Sequence, residues 1–148
     1  MAPEIVVYTD GACAGNPGPG GWAALILDAG QERTVSGAEP ATTNQRMELT
    51  AALEGLIAIP GRRRIRLVSD STYVVNCFRD RWYARWEQTG WQNAGKRPIA
   101  NRELWERLLA EHRRHDVTWV WVRGHDGDPL NERVDHLARA AVATLARS

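Results

Sequence analysis

Four acidic side chains lie where the sequence pattern predicts a core-facing residue rather than a solvated charge: Asp10, Glu48, Asp70 and Asp135. Asp10 continues the face of Val6 and Tyr8 in an apolar strand, where an unpaired carboxylate is energetically costly. Few cations border these acids in the sequence, so a divalent cation is the natural neutraliser. Oxygen ligands without a thiolate or multi-histidine pattern favour Mg²⁺ or Mn²⁺. Two such ions ~3.5–4 Å apart stabilise the attacking and the leaving oxygen of a phosphoryl displacement, which is the chemistry this set indicates.

Each acid also has an ordinary structural explanation when it is taken alone. Asp70 could cap a helix, although Ser71 competes for that position. Glu48 and Asp135 flank apolar helix stripes and could be stripe-edge residues. Asp10 is harder to explain in this way, and four acids at the inner edges of four core elements together favour a metal site.

The elements that must position these acids follow from hydrophobic periodicity and from turn residues. Strands are predicted at 4–12, 21–28, 32–39, 65–70 and 117–124, and helices from about 43 to before Pro60 and at 71–78, 103–114 and 134–145. Thr42-x-x-Gln45 resembles a capping box, NPGPGG at 16–21 is a turn by composition, and residues 80–101 have no regular pattern. This order predicts an α/β fold with one mixed sheet, in which strands 1, 4 and 5 run parallel.

Composition and charge limit the class of protein. The 148 residues suit one domain, and no apolar run approaches the ~20 residues of a membrane span. The N-terminus does not resemble a secretory signal, and Cys13 and Cys77 form no metal-binding motif, so reduced thiols in a cytoplasmic protein are expected. The net charge is +1, yet residues 79–102 hold six cations against two anions. A basic segment beside an acidic site is therefore predicted.

Several motifs, in this order over nearly the whole chain, resemble those of type 1 ribonuclease H. They are Thr9-Asp10-Gly11, the turn at 16–21, Thr43-Asn44-Gln45-Arg46-Met47-Glu48, Ser69-Asp70-Ser71, and Gly124-His125 followed by Asn131-Glu132-x-x-Asp135. The resemblance implies a single domain over 1–148 with a five-stranded mixed sheet, in strand order 3-2-1-4-5, flanked by helices. It also implies an endonuclease that hydrolyses the RNA strand of RNA–DNA hybrids and leaves 5′-phosphate and 3′-hydroxyl ends.

The resemblance assigns a role to each residue of the acidic site. Asp10 would bridge two Mg²⁺ ions, with Mn²⁺ as a possible substitute, while Asp70 and Asp135 would each hold one ion. Glu48 would bind a metal and orient water near the RNA 2′-hydroxyl. His125, in a loop next to a glycine, would assist turnover; without the motif around it, it would be read as a solvent-exposed residue without a role.

The resemblance also implies contacts to both strands of the hybrid. Asn16, Asn44 and Gln45 match positions that contact the minor groove, where an amide can both donate to and accept from a 2′-hydroxyl. Thr43 and Asn101 match a pocket for a phosphate of the DNA strand. The alternative for these residues is turn and cap chemistry, which Asn16 before Pro17 would satisfy by itself.

Residues 80–101 form the predicted basic handle for the substrate. Arg85, Lys96 and Arg97 would attract phosphates, and Trp82 would pack on sugars or on another tryptophan. Tryptophans at i and i+4 usually form a packing ridge, so Trp82 and its neighbour at 86 are expected to be partly structural.

Two departures from the family pattern lower the expected affinity for the hybrid. Ala41 stands where relatives often carry a basic residue, and residues 87–89 replace a lysine-rich stretch.

Two other functions compete with the nuclease. Transposases, resolvases and exonucleases share the general fold and act on DNA. A non-catalytic hybrid-binding module would be expected to lack an acid, and none is missing. The expected partner is the hybrid, bound by a monomer with no obligate protein partner.

Overall fold

A five-stranded mixed sheet forms the centre of the computed structural model, which describes residues 3–124 and 127–145. The first three strands form an antiparallel meander: β1 (Ile5–Cys13), β2 (Gly18–Asp28) and β3 (Gln31–Thr42). Two further strands, β4 (Arg64–Ser69) and β5 (Asp116–Trp121), continue the sheet in parallel beyond β1. The strand order is β3-β2-β1-β4-β5, so the predicted order 3-2-1-4-5 is confirmed.

Within residues 3–124 and 127–145, five helices cover the two faces of this sheet. They are α1 (Asn44–Ile57), α2 (Thr72–Arg79), α3 (Trp82–Thr89), α4 (Arg102–Arg114) and α5 (Pro129–Leu145). The larger apolar cluster joins one face of the sheet to the first four helices, and a smaller cluster joins the other face to α5. The sheet therefore receives side chains from α1 on one face and from α5 on the other.

Local signals explain where most helices begin. Ser71 caps α2, because its hydroxyl accepts from the Val74 amide at 3.2 Å. Thr43 caps α1 in the same way, accepting from the Arg46 amide at 3.2 Å. The expected capping box of Thr42 and Gln45 is therefore wrong, since Thr42 is the last residue of β3 and the cap is the next residue, Thr43.

Several boundaries differ from the predicted ones. β3 runs on to Thr42 instead of ending at 39, and β5 ends at Trp121 instead of 124. The strand β2 begins at Gly18, inside the stretch predicted as a turn, because its glycines pair with β1 and β3. The helix α3 lies within 80–101, where no regular pattern was predicted, and none of its residues is fully buried. The last helix begins at Pro129, a residue type that suits the first helical position.

Two further features concern membrane insertion and the cysteines. In the described residues we find no helix with the length and apolar character needed to span a membrane. Cys13 and Cys77 are free thiols.

Candidate active site

The site lies at an opening in the sheet between β1 and β4. The parallel pairing of these strands ends at Thr9 and Ser69. Beyond that pair, β1 continues through Asp10 to Cys13, whereas β4 has ended and Asp70 follows it. The two aspartates therefore stand on either side of the point where the strands separate, which is the edge at which ligands bind in sheets of this kind.

The helix α1 brings Glu48 into this opening by a close approach to β1. A Cβ atom on Gly11 would lie 2.6 Å from the Glu48 backbone nitrogen, so only glycine permits this packing. The Gly11 amide donates a hydrogen bond to Glu48 Oε1 at 2.5 Å. This bond fixes the carboxylate beside Asp10, and both acids are buried, with 3% of Asp10 and 6% of Glu48 exposed.

Three carboxylates form a compact cluster in the opening. Asp10, Glu48 and Asp70 each offer one oxygen, and these oxygens lie within 4.8 Å of one another. Asp135, from α5, lines the same cleft, whose volume is about 430 Å³. Its Oδ2 also forms an ion pair with Arg139 Nε at 3.2 Å, one helical turn further along α5. The structure thus brings together all four of the acids that the sequence singles out.

The electrostatics of the cluster favour a bound cation. Burial, followed by the negative charges of Glu48 and Asp70, raises the pKa of Asp10 well above its usual range. Burial is also the main cause that raises the pKa of Glu48, to about 7. Glu48 Oε2 is buried without a hydrogen-bond partner among residues 3–124 and 127–145. An unpartnered carboxylate oxygen in an all-oxygen set fits a hard divalent cation.

The predicted readers of the 2′-hydroxyl lie around the mouth of this cleft. Asn44 and Gln45 line it, about one helical turn before Glu48 on α1, and both side chains are exposed. Asn16 Oδ1 accepts from the Asn44 backbone amide at 3.1 Å. Asn16 therefore holds the start of α1, and its side-chain NH₂ group donates to no other group in the part of the chain that the structure describes.

The two residues of the predicted phosphate pocket begin neighbouring helices. Thr43 caps α1, and Asn101 occupies the corresponding position of α4, in the left-handed region at φ 61° and without a side-chain cap bond. An ion pair of Arg46 with Glu103, at 3.2 Å, ties these two helix starts together. The structure thus places Thr43 and Asn101 on adjoining helix N-termini, where backbone amides favour an anion.

The basic handle combines a packed tryptophan face with exposed cations. The Trp86 ring lies 6.3 Å from that of Trp82 and 5.3 Å from that of Trp105, measured between centroids. The expected structural packing of Trp82 is therefore seen. The side chains of Arg85, Lys96 and Arg97 are exposed, the last two in the loop after α3.

Two residues that contact the acids had no role predicted from the sequence. Gly11 was quoted only as part of a motif, although its amide holds Glu48. Trp121 was not singled out, yet its indole Nε1 donates to the Asp70 carbonyl at 3.1 Å. Neither contact leaves a signal in periodicity, because both depend on how separate strands and helices meet. His125 lies outside the described residues, so its predicted role stays a prediction.

Comparison with known proteins gives a consistent result over almost the whole chain. The profile of the RNase H family matches residues 2–143. A ribonuclease H of Moorella thermoacetica is 52% identical over 144 residues, which cover 97% of this chain and 95% of the relative. The crystal structure of LC9-RNase H1, described as a type 1 RNase H with the type 2 active-site motif, aligns with a TM-score of 0.87 at 37% identity, covering 97% of this chain and 74% of that one. LC11-RNase H1, solved in complex with an RNA/DNA hybrid, shares the fold at 21% identity with a TM-score of 0.72, over 96% of this chain and 99% of that one.

Proposed function

Because this chain belongs to the RNase H family and is a hydrolytic nuclease acting on RNA–DNA hybrids, we propose that it cleaves the RNA strand with two divalent metal ions. The products would carry 5′-phosphate and 3′-hydroxyl ends. The cluster of Asp10, Glu48 and Asp70 supports this proposal most directly, because their three ligand oxygens lie within 4.8 Å of one another and a divalent cation would offset the repulsion between the ionised carboxylates.

We assign the metal, as Mg²⁺, to the four acids of the cleft. Asp10 interacts with each of the other three acids and would contact both ions, while Asp70 and Asp135 would each hold one. When bound, the ions stabilise negative charge on the attacking and leaving oxygens of the phosphodiester. Glu48 would use Oε2, the oxygen that the Gly11 amide does not occupy, so its ligand atom is pre-oriented before substrate arrives.

The side chains near Glu48 would select RNA over DNA. Asn44 and Gln45 present amides that can donate to and accept from the 2′-hydroxyl of the strand being cut. Asn16 supports Asn44 through the backbone and keeps a donor free for the minor groove. Glu48 itself would orient a water molecule close to that hydroxyl.

The remaining predicted residues would bind the DNA strand and the outer part of the duplex. Thr43 and Asn101 would bind a phosphate of the DNA strand at the adjoining starts of α1 and α4. Arg85, Lys96 and Arg97 of the handle would add sequence-independent attraction to the duplex, with Trp82 packing against a sugar. We further propose that His125 assists turnover and that the protein acts as a monomer, since one chain supplies all four acids.

A cleavage assay on three substrates tests the proposal. Labelled RNA–DNA hybrid, double-stranded RNA and double-stranded DNA are each incubated with Mg²⁺ and with EDTA. Only the hybrid with Mg²⁺ should be cut, in its RNA strand, and a phosphatase-sensitive 5′ end should appear on each internal fragment. Cutting of the double-stranded DNA at a comparable rate, or cutting in EDTA, would overturn it.

Two matched variants test the acidic site itself. Asp10→Asn keeps the side-chain shape but removes the central charge, so hybrid cleavage should fall by more than about 100-fold, or more than ~2.7 kcal/mol in transition-state stabilisation. Hybrid binding should persist, since the cations of the handle are untouched. Glu54→Gln makes the same kind of change on α1 outside the cluster and should leave the rate unchanged. Equal rates for both variants would remove Asp10 from the chemistry.

A further inference from the structure

A tryptophan at the end of β5 is exposed in a way that apolar packing does not explain. Trp121 keeps 39% of its surface in contact with solvent and is one of two exposed large apolar residues in the described parts of the chain. Its polar atom, by contrast, is fully engaged, because the indole Nε1 donates to the backbone carbonyl of Asp70 at 3.1 Å. The interaction that accounts for a tryptophan here is therefore this hydrogen bond.

The Asp70 backbone lies beyond the regular hydrogen bonds that join β4 to β5. The pairing of β4 with β5 ends with Ser69 opposite Trp121, and the Val122 amide adds one more bond to the Ser69 carbonyl at 3.0 Å. Asp70 is the first residue beyond these bonds, and on its other side β1 has already separated from β4. The indole N–H thus extends the support of β5 by one residue, to the aspartate.

The same segment also approaches the Asp70 carboxylate. A Cβ atom on Gly124 would lie 2.8 Å from Asp70 Oδ2, closer than a real Cβ contact allows. Gly124 therefore packs closely against the Asp70 carboxylate. It lies three residues after Trp121, whose indole binds the Asp70 carbonyl.

We propose that Trp121 and Gly124 are positioning residues that together orient Asp70 toward the metal, one through its carbonyl and the other through its carboxylate. This inference rests on the proposed function, because it assigns Asp70 to a metal. Groups that orient a metal ligand without touching the ion commonly change metal affinity or activity by about 10- to 100-fold when they are lost.

A metal titration without substrate tests the role of Trp121. Binding of Mn²⁺ to the metal-free protein is followed by the loss of the free-ion electron paramagnetic resonance signal, for wild type and for Trp121→Phe. The variant keeps an aromatic ring but lacks the N–H, so Mn²⁺ should bind about tenfold more weakly. In hybrid cleavage, kcat should fall at low Mg²⁺ and recover at high Mg²⁺, while KM for the hybrid stays unchanged.

Trp119→Phe is the matched control, on the same strand. It also removes an indole hydrogen bond, from Trp119 Nε1 to His112 Nδ1 at 3.0 Å, but on a buried ring that does not contact Asp70. It should lower the melting temperature more than Trp121→Phe does and leave Mn²⁺ affinity unchanged. Equal weakening of Mn²⁺ binding by both variants would mean a general structural effect and would overturn the inference.

Gly124→Ala gives an independent check, because it acts on the carboxylate rather than on the carbonyl. The added methyl group should displace Asp70 and weaken Mn²⁺ binding by a similar factor. If wild type binds Mn²⁺ and cuts the hybrid while Trp121→Phe and Gly124→Ala both retain its affinity, the positioning role fails and the proposed function stands. If wild type binds no Mn²⁺, the metal site fails, and the positioning role fails with it.

Discussion

The contact between Gly11 and Glu48 shows how much of this site depends on single atoms. Gly11 has no side chain, so α1 can approach β1 until the Gly11 amide bonds to Glu48 Oε1. That bond satisfies one oxygen of a buried carboxylate and leaves the other, Oε2, without a partner in the described part of the chain. The geometry of the acid cluster is therefore set by the protein before any cation binds.

Replacing Gly11 by alanine should disturb both the fold and the metal site. The new methyl group would lie 2.6 Å from the Glu48 nitrogen, so α1 must shift, at a cost of about 1–3 kcal/mol in the free energy of unfolding. Mn²⁺ affinity should fall as well, because Glu48 moves with the helix. Urea denaturation and Mn²⁺ titration measure the two effects. Gly95→Ala, whose methyl would meet only Asn93 Oδ1 at 3.4 Å, is the control, and wild-type Mn²⁺ affinity in Gly11→Ala would contradict the prediction.

A second prediction at this scale concerns the 2′-hydroxyl. A hybrid with one 2′-deoxy sugar at the scissile position should be cut there about 10- to 100-fold more slowly, because Asn44, Gln45 and Glu48 lose a hydrogen-bonding partner. Cleavage at linkages elsewhere in the same substrate provides the internal control. Product ladders on a denaturing gel measure the ratio, and an undiminished band at the modified position would mean that these residues read another feature.

Among the secondary-structure elements, α3 has the least internal support. It spans eight residues, none of which is fully buried, and it begins after Arg81 in the left-handed region without a side-chain cap. Trp86 packs against Trp105 of α4, and Trp82 packs against Trp86, so both tie the handle to the core cluster. The same arrangement leaves Arg85 on the outer surface. Tryptophan packing thus joins α3, which carries Arg85, to the core, whereas Lys96 and Arg97 lie in the loop after it.

Removing the handle cations should change binding more than chemistry. With Arg85, Lys96 and Arg97 all replaced by alanine, KM for the hybrid should rise while kcat changes little, because these groups lie outside the acid cluster. The slope of log affinity against log salt should flatten by up to about 2–3, one phosphate contact for each cation. Steady-state kinetics across a salt series measure both quantities.

The control for this variant removes the same amount of charge from other surfaces. Arg64, Arg66 and Arg107 are also exposed, and their triple alanine variant should have a smaller effect on KM and on the salt slope. A fall in kcat at unchanged KM in the handle variant would instead place this segment in the chemistry.

The molecule as a whole holds its acid cluster at the expense of stability. Acids reach the opening from both faces of the sheet, since α1 supplies Glu48 and α5 supplies Asp135, and they meet the two strand-end aspartates there. Burial and mutual repulsion raise the pKa values of Asp10 and Glu48. The unfolded chain separates these groups, so without metal the cluster disfavours the folded state near neutral pH.

Metal-free Asp10→Ala should therefore be more stable than the wild type at pH 7, by about 1–3 kcal/mol, although it cannot cleave the hybrid. The pKa of Asp10 is higher in the folded than in the unfolded state, so the folded state binds more protons. Wild-type stability in EDTA should consequently decline as the pH rises from about 4 toward neutrality. The free energy of unfolding of Asp10→Ala should fall less over this pH range. The difference in stability between the two proteins should therefore increase with pH.

Thermal melts in EDTA and in Mg²⁺, at several pH values, check these expectations. Mg²⁺ should stabilise the wild type, because it binds only the folded state, and stabilise Asp10→Ala much less. An Asp10→Ala protein that melts below the wild type in EDTA at pH 7 would show that Asp10 is satisfied by the protein itself.

The sequence by itself determined the mixed sheet, the strand order that the family resemblance implied, and the four acids. The mixed sheet and the acids at the element edges depend on local pattern: alternation within β1, the apolar run of β4, and acids at the edges of helix stripes, all of which are encoded within a few residues. The strand order was implied by the family resemblance and not by such a pattern. The caps of α1 and α2 were readable to within one residue for the same reason. The apolar period of α5 likewise predicted its packing, but not its first turn.

Only the tertiary structure decided which atoms meet in the site. The separation of β1 from β4 after Thr9 and Ser69, the bond from Gly11 to Glu48 and the bond from Trp121 to Asp70 each join segments far apart in sequence. The helix α3 belongs to this group as well, because tryptophan packing against α4 holds it rather than its own periodicity. Such contacts depend on distances between packed elements, and a one-dimensional pattern contains the period of an element but not its separation from its neighbours.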